Sequence, residues 1–157
     1  RSSDLDTKGD TINILDYKTG YSSTETKTSL ENIFAFETKS AANRLQAFLY
    51  SVVIGEMLCG NAPVHKEENW LQELKMHDTR KVSPSLLYIH NMENVKREEY
   101  TIDILKNPVT DISTIKKEYM EKLTTVIEEI FDVNTPFSPC DDKKRCEYCD
   151  YRKICGK

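Results

Sequence analysis

No apolar run in this chain approaches the ~20 residues that a membrane-spanning helix requires, so no membrane partner is expected. Basic residues are not in excess either: 22 Lys and Arg stand against 26 Asp and Glu, for a net charge of −4. That balance excludes a globally basic nucleic-acid binder. Any contact with a polyanion must come from a local basic surface or a bound metal. Internal repeats and low-complexity tracts are absent, and no secretory signal pattern opens the chain. The first residue is Arg rather than Met, so the chain is expected to be an N-terminally truncated piece, with a targeting segment upstream left open. His65, His77 and His90 lack metal-ligand spacing and receive no role. Cysteine is scarce until the end, where Cys59 is followed only by Cys140, Cys146, Cys149 and Cys155. An odd count with one tight cluster argues against a disulfide framework. It favours a reduced compartment and a metal or cluster site.

What remains is one domain's worth of sequence, 157 residues with 38% hydrophobic and 31% charged side chains. Leu5 to Lys18 reads as a β-hairpin with its turn at Thr7-Lys8-Gly9-Asp10. Its second strand, Thr11 to Tyr17, alternates Ile12, Ile14 and Asp16 against Asn13, Leu15 and Tyr17. The Ser/Thr-rich stretch 21–30 reads as a loop. From about Ser40 to Cys59, the positions of Leu45, Phe48, Leu49, Val52, Val53 and Met57 predict a helix with a core-facing stripe. Gly60 and Pro63 end it, and Cys59 is expected to pack in the core. A shorter helix is expected around 67–75, with Trp70 anchoring it or a local loop. Strands follow at Ser85 to His90 and Tyr100 to Leu105. A long helix is then predicted from about Ile112 to Phe131, capped by Asp111. Its buried stripe is expected to be Ile112, Ile115, Tyr119, Leu123, Val126, Ile127 and Ile130. Strands interleaved with long helices predict an α/β or α+β fold, a small mixed sheet flanked by helices. The division expected is a core over 1–135 and a cysteine-rich tail of the same domain over 136–157, beginning at Pro136 and Pro139.

The chemistry concentrates in Asp16-Tyr17-Lys18, at the end of the hairpin's second strand and just before Gly20. Residues two apart in a strand share a face, so Asp16 and Lys18 point the same way. A carboxylate can hold Mg²⁺ or Mn²⁺, and the ion lowers the pKa of a bound water. The lysine can orient that water or stabilise charge in the transition state. An ion pair at an exposed strand end is the plainer reading of the same tripeptide. Gln46 and Tyr50, four apart on the next helix, share a face. They offer an amide and a phenol to a phosphate or a metal-bound water, or they mark the polar border of the helix.

Taken together, Ile12-Asn13-Ile14-Leu15-Asp16-Tyr17-Lys18-Thr19-Gly20, the Gln46/Tyr50 pair and C-x-x-C-x₅-C from Cys146 to Cys155 resemble the RecB-type exonuclease branch of the PD-(D/E)XK superfamily. The likeness is nearest to the nuclease domain of AddB-like subunits of helicase–nucleases. It implies a restriction-endonuclease-like core and a Mg²⁺-dependent DNA exonuclease, working with a helicase subunit or fused helicase region on double-strand breaks in a bacterial cytoplasm. It further implies Asp16 and the Tyr17 carbonyl as metal ligands, Lys18 as the catalytic lysine, and Gln46 and Tyr50 in support. One departure stands out. The family places another metal-binding aspartate on the preceding strand, and the chain there offers Asp4 as a stand-in.

The cysteine tail carries its own reading. Cys146 and Cys149 can chelate one metal or two corners of a cluster, and Cys155 can fold back to them. Cys140 is a candidate fourth ligand. Zinc suits such a thiolate set as well as iron–sulfur does. The resemblance implies a [4Fe–4S] cluster with its fourth ligand far upstream, so the intact protein is expected to carry that cluster and the present piece an empty site, a disulfide or zinc. Lys143, Lys144, Arg145, Arg152 and Lys153 are either a solvated charge run or a contact for the DNA backbone. Against the nuclease stands a non-catalytic DNA-binding module that keeps the fold and the cysteine clasp. A zinc-ribbon-tailed interaction domain is a third reading.

Overall fold

The structure, a computed structural model, describes residues 3–19, 28–35, 40–61, 81–89, 101–136, 138, 146–147 and 149–156. A hairpin opens the fold: β1 (Ser3–Lys8) runs antiparallel to β2 (Thr11–Lys18), with Ser3 opposite Asp16 and Lys8 opposite Thr11. Gly9 takes φ 61° at the turn, a conformation costly to any side chain with a Cβ. The short helix α1 (Leu30–Phe34) and the long α2 (Ala41–Leu58) follow. The chain then returns as β3 (Lys81–Tyr88), parallel to β2 from Thr11↔Lys81 to Lys18↔Tyr88. The described sheet is therefore mixed, in the order β1-β2-β3 with β2 central. A small hairpin of β4 (Asp103–Ile104) and β5 (Asn107–Pro108) leads into α3 (Ser113–Phe131). This is the small mixed sheet flanked by helices that the sequence predicted, consistent with a restriction-endonuclease-like fold.

One face of the sheet makes the core. Ile12 and Ile14 of β2 and Val82 and Leu86 of β3 are buried with Leu30, Ile33, Phe48 and Val52 from the helices. Each such side chain is worth roughly 1.5–3 kcal/mol when removed from water. Tyr119 of α3 is fully enclosed between Phe34 and Phe48, with ring centroids 5.5 and 5.9 Å away. Its hydroxyl donates to the Leu45 carbonyl at 2.9 Å, and burial pushes its pKa up to about 12. Partly exposed ion pairs add to this packing, Lys122 to Glu31 at 2.9 Å and Lys116 to Glu56. The hydrogen bond from Lys122 holds the Glu31 carboxyl down to about 2.

Several elements depart from their predicted bounds. β3 begins at Lys81 rather than Ser85 because Pro84 does not break it. The Pro84 carbonyl accepts from the Ile102 N–H at 3.3 Å, so its missing donor also faces the outer edge, away from the β2 ladder. That edge is closed further by the Ile112 N–H to the Val82 carbonyl at 2.7 Å and by a Ser85↔Thr101 bridge. The strand expected over 100–105 shrinks to Asp103–Ile104, because Leu105 and Lys106 turn with φ 50° and 69°. Helix α1 was missed. Five residues are too few to show a period, although Ser29 caps it by accepting from the Asn32 N–H at 3.3 Å. Asp111 caps α3 as expected, its carboxylate accepting from the Ser113 N–H at 3.0 Å. Cys59 is exposed, not buried, since α2 ends at Leu58. Val53 is 44% exposed, at the margin of its stripe.

The chain divides into two compact units, 1–123 and 124–157. In the second, Val126 and Cys146 are half-buried and every other described residue is exposed. Ile127 and Ile130, placed by periodicity in a buried stripe, are thus 45% and 53% exposed. The predicted helix at 67–75, Trp70 and the three histidines lie outside the described residues.

Candidate active site

Alternation along β2 turns Ile12, Ile14 and Asp16 to the core face, each of them buried, and carries Lys18 to the same face at the strand's carboxyl end. Asp16 is 0% exposed. Lys18 covers it, with its side chain 19% exposed and its Nζ 2.8 Å from Asp16 Oδ2. The amine is therefore partly open to solvent, and the carboxylate is not. The same Nζ donates to Gln46 Oε1 at 2.8 Å, and Gln46 Nε2 donates to Tyr50 Oη at 2.6 Å. Lysine has donors only, so its contact identifies the Gln46 oxygen and leaves the amide NH₂ for the phenol. The Tyr50 oxygen accepts, which leaves its O–H to donate elsewhere. Four residues placed by the sequence at one site are thus joined end to end.

Asp16 is anomalous in one respect. Neither carboxylate oxygen has a hydrogen-bond partner among the described residues, since the approach of Lys18 is an ion pair without hydrogen-bond alignment. Burying a carboxylate in that state costs several kcal/mol, and buried polar atoms without partners usually mark a role beyond packing. Two hard oxygen donors without hydrogen bonds fit a divalent cation. Among the described residues, no three His, Cys, Asp or Glu side chains come together as a metal site. Tyr17 pairs with Leu87 on β3. Position 4 pairs with Leu15, so the register sets Asp4 one step out of phase with position 16, whose partner is Ser3.

Two residues that sequence reasoning missed stand beside this chain. Tyr88 is the register partner of Lys18, and Asn43 Nδ2 donates to its Oη at 3.4 Å. Asn43 lies three before Gln46, on the same helical face, a signal present in the sequence. The adjacency of Tyr88 to Lys18 depends on parallel register, which carried no local signal.

In the tail, the Cys149 N–H meets the Cys146 carbonyl at 3.3 Å and the Cys155 N–H meets the Tyr151 carbonyl at 3.1 Å. These backbone turns do not gather the three thiols into one site. No disulfide joins the described cysteines. Arg152 and Lys153 are exposed. Cys140, Lys143, Lys144 and Arg145 lie outside the described residues.

A mixed sheet flanked by helices, with a buried carboxylate and a lysine at the end of its central strand, defines a protein of the restriction-endonuclease-like class. The sequence model of the PD-(D/E)XK nuclease superfamily matches residues 4–156, and the chain belongs to that superfamily. No curated protein and no solved structure matches the chain. Membership implies a nuclease-type hydrolase acting on DNA, in a superfamily that generally uses divalent metal ions. No described helix is long and apolar enough to cross a membrane.

Proposed function

We propose that this chain is a metal-dependent DNA exonuclease domain of the RecB/AddB-like branch, with residues 136–157 as its cysteine-rich clasp. The observation that carries the reading is the continuous contact from Asp16 through Lys18 and Gln46 to Tyr50. Asp16, with the Tyr17 carbonyl and a second acid, would hold a Mg²⁺ or Mn²⁺ ion, which when bound would supply positive charge at the phosphate and lower the pKa of a water. Asp16 holds that charge on the floor of the site. Lys18 offers its amine to charge developing on the phosphate, where a fixed donor in a dry pocket acts most strongly. Gln46 fixes the lysine's direction, and Tyr50 presents a donor at the far end. The helicase partner, the repair of double-strand breaks and the bacterial cytoplasm rest on the family resemblance. So does a [4Fe–4S] cluster on Cys146, Cys149 and Cys155, with Cys140 or an upstream residue as fourth ligand and zinc as the other occupant. The thiols as placed are not gathered for a cluster, so no step is assigned to it.

Complete burial of Asp16 beneath Lys18 favours a second reading, a non-catalytic DNA-binding module. One experiment separates the two. With Mg²⁺, the wild-type protein should degrade DNA from its ends, while Asp16→Ala and Lys18→Ala lose at least ~100-fold in kcat and keep the fold by circular dichroism. Cleavage surviving both changes at the wild-type rate would remove the catalytic assignment. DNA binding without cleavage by the wild type would establish the second reading.

A further inference from the structure

Tyr88 ends β3 and has no part in the chemistry above. In a parallel pair, register partners share a face, so Tyr88 stands beside Lys18 one strand spacing away, ~4.8 Å between backbones. Its ring packs against the core, which rules it out as a stacking platform and leaves the hydroxyl as its polar tip. That tip meets Asn43, one turn before Gln46 on α2. Helix α2 is therefore tied to the carboxyl ends of two neighbouring strands by two rungs, Lys18–Gln46 and Tyr88–Asn43. The first is charged and 2.8 Å long. The second is neutral and, at 3.4 Å, near the outer limit of a hydrogen bond, so little is lost when a better acceptor replaces it. Phenols and carboxamides are regular neutral donors to nucleic-acid phosphates. Tyr88 and Asn43 therefore stand one strand spacing to the side of the amine assigned to the scissile phosphate.

We infer that Tyr88 and Asn43 form a subsite for the phosphate that flanks the scissile one, reading the DNA backbone by position and not by sequence. The inference rests on the nuclease reading for its chemistry, but its contact is one of binding and is tested as such. Fluorescence anisotropy in EDTA would follow wild type, Tyr88→Phe and Asn43→Ala with a short single-stranded oligonucleotide. The same strand with one phosphate at a time replaced by a neutral methylphosphonate completes the set. Loss of one neutral hydrogen bond should weaken binding about fivefold for Tyr88→Phe. On one of the modified strands the wild type should weaken equally and Tyr88→Phe should lose nothing more. In Mg²⁺ the deficit should fall on KM and not on kcat. A penalty of the same size on every strand, or one tracking a lower melting temperature, would overturn the subsite. A wild type that shows the phosphate-specific penalty without cleaving would keep the subsite and sink the nuclease.

Discussion

A carboxylate that is 0% exposed, with no hydrogen bond to either oxygen among the described residues, stores unfavourable energy, and the Asp16–Lys18 ion pair offsets only part of it. The two partners should therefore respond unequally to removal. Asp16→Asn deletes the desolvated charge and leaves Lys18 on Gln46, so unfolding by urea in EDTA should show a gain of about 1 kcal/mol. Lys18→Ala leaves the carboxylate buried and alone, and should cost about 1–3 kcal/mol. Both variants should be inactive, so the pair separates stability from function. If Asp16→Asn were the destabilising member, the account of Asp16 as a strained carboxylate would be wrong. At this scale the sequence was highly legible. Spacing alone put Asp16 with Lys18 and Gln46 with Tyr50. It could not show that Lys18 Nζ sits between the two pairs, because that contact joins residues far apart in the chain.

Among the elements, β2 and α2 were readable because each repeats its period long enough to declare it. The hairpin of β4 and β5 was not. Its tip places Leu105 and Lys106 at φ 50° and 69°, where side chains with a Cβ are strained, and a hydrogen bond from the Leu105 N–H to the Thr28 carbonyl at 3.0 Å holds it there. Two-residue hairpin turns with both residues at positive φ favour Asn-Gly. Leu105→Asn with Lys106→Gly should therefore stabilise the protein by about 1–2 kcal/mol, read as a raised urea midpoint with unchanged m-value. A loss of stability would mean that the Leu105 side chain contributes packing its 63% exposure does not suggest. The start of β3 was hidden for the opposite reason. Pro84 looks like punctuation in a sequence and is harmless only because it falls on the outer edge.

For the whole molecule, residues 1–123 hold the core while the described residues of 124–157 enclose almost nothing. On the proposed reading, the cysteine clasp is what orders the tail. Replacing Cys146, Cys149 and Cys155 together by Ser should abolish the iron and acid-labile sulfide expected in the intact protein purified without oxygen. Tryptic cleavage within the tail should quicken, while the main unfolding transition moves by no more than ~0.5 kcal/mol. A fall of several kcal/mol in that transition would show that the sheet depends on the tail. An iron-free wild type, with zinc or without, would remove the iron–sulfur assignment.

The sequence by itself determined the local terms. Alternation buried Ile12, Ile14 and Asp16 together, helical spacing paired Gln46 with Tyr50, and Asp111 began α3. These follow from periods of two and 3.6 residues and from side-chain chemistry, all available within one short window. Only the tertiary structure decided that Lys18 covers Asp16, that Tyr88 stands beside Lys18, and that Ile127 and Ile130 leave the core. Each of these depends on which distant segment lies alongside, and a periodic pattern names a face without naming its partner.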